Sequence, residues 1–97
     1  MPQFDIYALA DGLLVLDCQS DALRDLDTRF VVPLLPAGTV VVTAGLNPGF
    51  NIAGAPMNLY PQGAATIPAR ELRTRQGSLA AERYTIMNAI DTLLSGI

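Results

Sequence analysis

Residues 78–97 read SLAAERYTIMNAIDTLLSGI, and the spacing of apolar residues changes where this stretch begins. The apolar residues recur at steps of three and four, as Leu79, Ile86, Ile90 and Leu93 show. This period predicts an amphipathic helix over Ser78–Ser95 with one buried stripe. Ser78 is a typical N-cap, and a glycine just past the last turn is a typical helix stop.

The chain upstream of this helix is predicted to form short strands. Alternation over Phe4–Ala8, a turn at Asp11-Gly12 and the apolar run Leu13–Cys18 predict a hairpin. Ser20-Asp21 could start a helical turn. Further predicted strands, bounded by Pro and Gly, are Phe30–Leu35, Thr39–Thr43, Phe50–Ala53, Met57–Tyr60 and Ala64–Ala69.

The predicted fold is mainly β with one C-terminal α-helix, in one domain over residues 1–97. Turns at short intervals suggest a small antiparallel sheet. Pro33 and Pro68 lie inside predicted strands, and proline lacks the ladder donor, so an edge or a bulge is expected at each. Such a sheet with one helix leaves apolar surface uncovered, which favours self-association.

Composition excludes several classes of function. The net charge of −3 and pI near 4.5 disfavour direct nucleic-acid binding. The absence of histidine excludes His-based acid–base catalysis and the commonest metal ligand. No secretory signal or apolar run of about 18 residues is visible, so we expect a cytoplasmic protein without membrane binding. Cys18 lies in an apolar run and is expected to be a buried, inert thiol.

Charged clusters give weak signals. Asp21, Asp25 and Asp27 could hold a metal, but they lack calcium-loop spacing, and solvated charge is the favoured interpretation. Arg70, Arg73 and Arg75 form a basic spot that fits a solvated strand end or loop. Arg29 beside Thr28, or Arg70 beside Glu71, could serve a histidine-free ribonuclease, although no spacing selects them. We expect no cofactor, and a binding protein is favoured over an enzyme.

The chain ends on Ser95-Gly96-Ile97, with an apolar residue at the free carboxylate. This end either packs on the core of the protein, together with Leu93 and Leu94, or is offered to a partner. The two alternatives give the end a structural or a functional role.

Four segments together carry a resemblance across nearly the whole chain. They are Gln3–Tyr7, Leu16–Asp21, Arg29–Leu34 and Ile86–Ile97. In combination they resemble the CcdB family of plasmid and chromosomal toxins. The resemblance implies a homodimer with a twisted antiparallel sheet, or partly open barrel, and a C-terminal helix, related in fold to the MazF/Kid ribonuclease toxins.

The resemblance also implies a function. Family members are not enzymes: they poison DNA gyrase by binding between its A subunits, and a cognate antitoxin neutralises them with a disordered segment. The gyrase contact is made by a C-terminal Trp-Gly-Ile, a polar residue four positions before the tryptophan, and apolar residues after the Gln-Ser-Asp stretch. The gyrase-binding positions implied here are Ala22, Leu23, Asp91, Leu94, Ser95, Gly96 and Ile97.

This sequence departs from the family pattern at the most important of these positions. Gly96 and Ile97 match, but Ser95 stands in the tryptophan position and Asp91 in that of an asparagine. Leu94 replaces an aromatic residue, and Ala22 and Leu23 replace two isoleucines. Tryptophan is the residue type most enriched at binding hot spots.

Three functions remain open from the sequence. The first is a toxin of a type II toxin–antitoxin pair that poisons gyrase or another topoisomerase, with a role in plasmid maintenance. The second is a homologue that has lost or changed its target and still binds an antitoxin. The third is an endoribonuclease of the MazF/Kid type, which is the least favoured because the resemblance runs to the non-enzymatic branch.

Overall fold

The computed structural model describes residues 1–96, which form seven strands and one α-helix. Short 3-10 turns lie at Asp21–Leu23, Pro61–Gly63, Ala69–Glu71 and Ala80–Glu82. The strands and the helix are β1 (Asp5–Ala8), β2 (Leu14–Asp17), β3 (Thr28–Pro36), β4 (Gly49–Ile52), β5 (Ala55–Leu59), β6 (Ala65–Pro68), β7 (Thr74–Ser78) and α1 (Arg83–Ser95).

All strand pairs in the described part of the chain are antiparallel, in the order β4-β5-β3-β2-β1-β7. The long strand β3 forks: its first half pairs with β6 and its last three residues pair with β5. The sheet thereby curls into a half-barrel. The prediction of a mainly β fold with a C-terminal helix is confirmed.

The core lies between one face of the sheet and the helix. Ile6, Leu16 and Val32 are cross-strand neighbours on this face, and all are buried. Ile86 and Ala89 of α1 are fully buried in the same cluster. The opposite face carries a smaller cluster, formed by Tyr7, Val15, Val31 and Leu72.

Pro33 was predicted to mark an edge or a bulge, and this prediction is wrong. Pro33 pairs with Val15 in the middle of β3, which has neighbours on both sides. Its carbonyl accepts a hydrogen bond from Tyr60 N at 2.9 Å, so its backbone polar atoms face away from β2. The nitrogen of Pro33, which carries no hydrogen, therefore faces the gap between β5 and β6. No strand pairs with β3 at that point, so no hydrogen-bond donor is required there. Pro68, by contrast, lies on β6, which pairs with β3 alone among the strands of residues 1–96, as expected of an edge.

The predicted strand Thr39–Thr43 is also absent. These residues lie in the loop between β3 and β4, where Val41 is 91% exposed. β-branched residues favour strands only where a neighbouring strand and a packed face receive them. Neither is available here, because the chain leaves the sheet at Pro36.

The C-terminal helix starts later than predicted. Ser78 ends β7, and its hydroxyl accepts a hydrogen bond from Ala80 N at 3.1 Å, at the start of the 3-10 turn that precedes α1. The α-helix itself begins at Arg83. The strand β7 was not predicted, because its residues Thr-Arg-Gln-Gly-Ser show no apolar alternation.

Candidate functional site at the end of the helix

The last turn of α1 presents apolar side chains to solvent. Leu93 is 42% exposed and Leu94 is 78% exposed, although the upstream turns of the same helix bury Ile86 and Ala89. Leu93 therefore does not close the core, and the packing alternative fails for Leu94. Exposed large apolar residues grouped on one element are typical of a contact surface.

The helix stops at Gly96, as the sequence predicted. Gly96 has φ +74, a left-handed conformation that suits glycine, and its N–H donates to Thr92 O at 2.9 Å. Both Ser95 and Gly96 are exposed. Ile97 lies outside the described residues, so the prediction for it stays a prediction.

The two side-chain hydroxyls of this turn donate hydrogen bonds to main-chain carbonyls one turn earlier in the helix. Ser95 Oγ donates to Asp91 O at 2.7 Å, and Thr92 Oγ1 donates to Asn88 O at 2.8 Å. The carboxylate of Asp91 is exposed and makes no ion pair within residues 1–96. A partner that covers this turn must therefore desolvate a charge at Asp91, where the family pattern has an amide.

Ala22 and Leu23 do not lie with the helix end. They belong to the 3-10 turn Asp21–Leu23, whose Asp21 Oδ1 accepts from Gln3 N at 2.8 Å. The side-chain oxygen of Gln3 in turn accepts from Arg83 Nη1 at 2.9 Å, at the first residue of α1. The helix has 13 residues. At about 1.5 Å per residue, its two ends are roughly 18 Å apart.

The positions implied by the resemblance thus fall into two exposed patches within one chain. We call the residues Asp91, Leu93, Leu94, Ser95 and Gly96 the helix-end patch. Ala22 and Leu23 form a second patch with Leu26, and Leu23 and Leu26 are each about half exposed. The separation depends on hydrogen bonds between distant parts of the chain, which no local pattern predicts.

One further exposed segment near the helix end was not predicted from the sequence. The loop between β3 and β4 approaches α1 at Gly45, where an added Cβ would lie 3.9 Å from Thr92 Oγ1. The same loop exposes Val41 and Val42. The run TVVVT was predicted to be a strand, so its exposure in a loop was not expected.

A buried ion pair lies on the sheet face away from the helix. Arg29 Nη2 lies 2.7 Å from Asp17 Oδ2, and Arg29 Nε donates to the same oxygen at 2.9 Å. The two side chains are 1% and 0% exposed. Burial raises the pKa of Asp17, and the hydrogen bond from Arg29 opposes that rise. This ion pair links β2 to β3 and is inaccessible to solvent.

Other sequence predictions concern single groups. Cys18 is buried, and burial raises the pKa of its thiol to about 12, in agreement with an inert cysteine. Asp21, Asp25 and Asp27 are exposed, and residues 1–96 contain no group of three or more metal-ligating side chains placed to hold an ion. Within that range, no helix is long and apolar enough to cross a membrane.

Comparison with known proteins gives the family. The family model described as CcdB protein matches residues 3–96. The chain belongs to the CcdB family. No curated protein sequence matches it significantly.

Among solved structures, the chain is similar to the Mycobacterium tuberculosis toxin MazF-mt6, with a TM-score of 0.76 and 20% identity. The similarity covers 96% of each chain. At this identity the similarity shows a shared fold only. The curled sheet and C-terminal helix of this CcdB-family member are therefore of the MazF type.

Proposed function

We propose that this CcdB-family protein is the toxin of a type II toxin–antitoxin pair, and that it poisons DNA gyrase without being an enzyme. The observation that supports the proposal is the exposure of Leu94, at 78%, in the last turn of the C-terminal helix. An apolar side chain exposed on the last turn of a helix can enter a cleft on a partner, and burying it contributes about 1.5–3 kcal/mol. Family membership supports the toxin class, and the resemblance supplies gyrase as the target.

Growth after induction tests the proposal. Leu94→Asp puts a charge at the proposed contact, and Tyr84→Asp puts the same charge on an 88% exposed residue of the first turn of the same helix. Neither position is buried, so both variants are expected to fold. Induction of the parent and of Tyr84→Asp should arrest growth, whereas Leu94→Asp should not.

A host with a gyrase A subunit that resists CcdB-family toxins identifies the target. We expect the parent to be harmless in that host, and coexpression of the cognate antitoxin to restore growth in the sensitive one. Equal arrest of both hosts would contradict gyrase as the target while leaving the toxin class intact.

A homodimer in the cytoplasm with an antitoxin partner is part of the same proposal. The described residues expose eight large hydrophobic side chains, which is a reason for association in a chain of 97 residues. They are Met1, Leu23, Leu26, Val41, Val42, Tyr84, Leu93 and Leu94.

One observation favours a second candidate, a homologue that has lost or changed its target and still binds an antitoxin. Ser95 occupies the tryptophan position, and its hydroxyl is bonded to Asp91 O within the helix. Serine offers little apolar area to a pocket shaped for an aromatic ring, whereas aromatic side chains bury about 150–250 Å² each. Neutralisation by antitoxin without gyrase binding would be the result expected of this candidate.

Burial removes one of the two arginines considered for a histidine-free ribonuclease site. Arg29 is 1% exposed and paired with Asp17, whereas Arg70 and Glu71, the other pair considered, are exposed. An arginine whose side chain is buried cannot contact an RNA phosphate. Incubation with a mixed-sequence RNA should give no discrete fragments, and cleavage that copurifies with the protein would overturn the non-enzymatic proposal.

A further inference from the structure

The edge strand β7 has an open outer side. It ends the sheet order and pairs only with β1 among the strands of residues 1–96. Four of its five residues are exposed. An exposed strand edge offers unpaired backbone donors and acceptors to another extended chain.

The segment that leads into β7 is basic in an acidic protein. Residues 70–75 contain three arginines and one glutamate, whereas the chain as a whole has a net charge of −3. Arg75 pairs with Asp5 at 2.9 Å, but Arg70 and Arg73 are exposed and form no ion pair within the described residues. Glu71 is the acidic group within the segment, and the exposed Asp27 is close because its carbonyl accepts from Ala69 N at 2.8 Å.

A groove lies where β7 begins, between the start of this strand and the first hairpin. It has a volume of about 340 Å³ and is lined by Ala8, Leu9 and Ala10 of the first hairpin and by Glu71, Arg73 and Thr74. Apolar residues and an arginine therefore line the same groove at the point where β7 begins. The groove is not on the outer side of β7, so the open strand edge and the two unpaired arginines carry the inference, because arginine side chains bind carboxylates.

We propose that the outer edge of β7 binds an extended acidic polypeptide segment of a partner protein, which adds to the sheet as a further strand. Backbone hydrogen bonds to β7 would supply affinity, and Arg70 and Arg73 would select acidic side chains. The inference rests on the proposed function only for the identity of the partner, since the antitoxin of the pair would supply this segment. The edge is separate from the helix-end patch proposed for gyrase.

A labelled probe peptide tests the edge directly. The probe is a fluorescein-labelled peptide of about twelve residues with alternating valine and glutamate, the pattern of a strand with one acidic face. Fluorescence anisotropy at low salt should show binding to the full chain. A peptide with lysine in place of glutamate, and one with alternate backbone nitrogens methylated, should not bind.

Variants locate the site. Arg70→Glu combined with Arg73→Glu should weaken binding at least tenfold, whereas Arg24→Glu, an exposed arginine in the 3-10 region after β2, should leave it within about twofold. Circular dichroism confirms that each variant is folded. In hydrogen exchange, the bound peptide should protect amides within residues 74–78.

Several results would overturn the inference. These are no binding, equal binding of the lysine peptide, an affinity unchanged by the double reversal, or protection confined to another strand. The arginines and the extra residue Gln76 opposite the Ile6–Tyr7 step would then only protect an exposed edge from self-association. The assay contains neither gyrase nor antitoxin, so its failure leaves the growth experiment unaffected.

Discussion

Asp17 and Arg29 link two central strands through an ion pair that water does not reach. One guanidinium nitrogen, Arg29 Nη1, is buried without a hydrogen-bond partner within residues 1–96. The pair is therefore costly to bury, and removing one member leaves the other charge uncompensated. In this fold the pair joins β2 to β3.

Replacing Arg29 should reveal that dependence. Arg29→Met leaves the Asp17 carboxylate buried alone and should lower the free energy of unfolding by about 3–5 kcal/mol. Arg24→Met, at an exposed arginine, should change it by no more than about 0.5 kcal/mol. Urea denaturation measures both, and a similar small change in the two variants would contradict the structural role of the pair.

Cys18 should make the stability fall at high pH. Its pKa is raised by burial from the usual 9.0 to about 12, so the unfolded chain loses the thiol proton first as the pH rises. The stabilising contribution is complete below pH 9 and is lost between pH 9 and 12. At pH 10 the parent should have lost about 1.4 kcal/mol relative to pH 8 through this group.

Cys18→Ala provides the control, because it removes the titrating thiol and leaves every other ionisable side chain in place. The difference in unfolding free energy between parent and Cys18→Ala should shrink from pH 8 to pH 10. A difference that stays constant over this range would show that the thiol is not held in its neutral form by the fold.

At the scale of elements, the C-terminal helix could be predicted because its period is local to the sequence. The exposure of Leu94 also follows from its place near the end of the helix. The loop at Thr39–Thr43 and the strand β7 could not be predicted, because each depends on a neighbour far away in the sequence. Valines without a partner strand stay in a loop, whereas the polar Thr74–Ser78 becomes a strand because β1 offers its edge.

The resemblance implied which residues contact gyrase, which stays a prediction, but it did not give their layout in this fold. Ala22 and Leu23 were grouped with the helix end on the resemblance alone. Their actual position at the start of α1 is set by Gln3, which bonds to Asp21 and to Arg83. Contacts that span 18 and 80 residues of sequence leave no periodic signal.

Restoring the aromatic residue at the helix end should strengthen gyrase binding. Ser95 is exposed, so Ser95→Trp is expected to leave the fold unchanged and to add an apolar ring to the helix-end patch. A hot-spot tryptophan contributes ~2 kcal/mol or more, which corresponds to about a 30-fold lower Kd for the gyrase A-subunit dimer. Asp91→Asn should add to this gain by removing a charge that binding must desolvate.

Titration of these variants against the gyrase A-subunit dimer measures the effect. A Ser95→Trp variant that binds no better than the parent would show that the ring meets no pocket. The target site would then be sought first around Ala22 and Leu23.

At the scale of the whole molecule, the chain offers more exposed apolar surface than a small sheet and one helix can cover. Its extents are 33 × 29 × 22 Å, and the exposed residues lie at both ends of α1 and in the loop between β3 and β4. A second copy that covers part of this surface would give a symmetric unit, which suits a two-fold cleft between two gyrase A subunits.

The oligomeric state should therefore be dimeric. The chain has a mass of 10.3 kDa, so light scattering at micromolar concentration should give roughly 20 kDa. A clean monomer mass would remove the two-fold match to the cleft, although a single helix-end patch could still bind one subunit.

The exposed end of the C-terminal helix is the surface that we propose contacts gyrase. Isothermal titration of the gyrase A-subunit dimer with the parent, Leu94→Asp and Tyr84→Asp tests it most directly, because both substitutions place a carboxylate at an exposed position of one helix. We predict binding by the parent, the same affinity for Tyr84→Asp, and at least a tenfold loss for Leu94→Asp. Binding of Leu94→Asp as tight as that of the parent would contradict the claim.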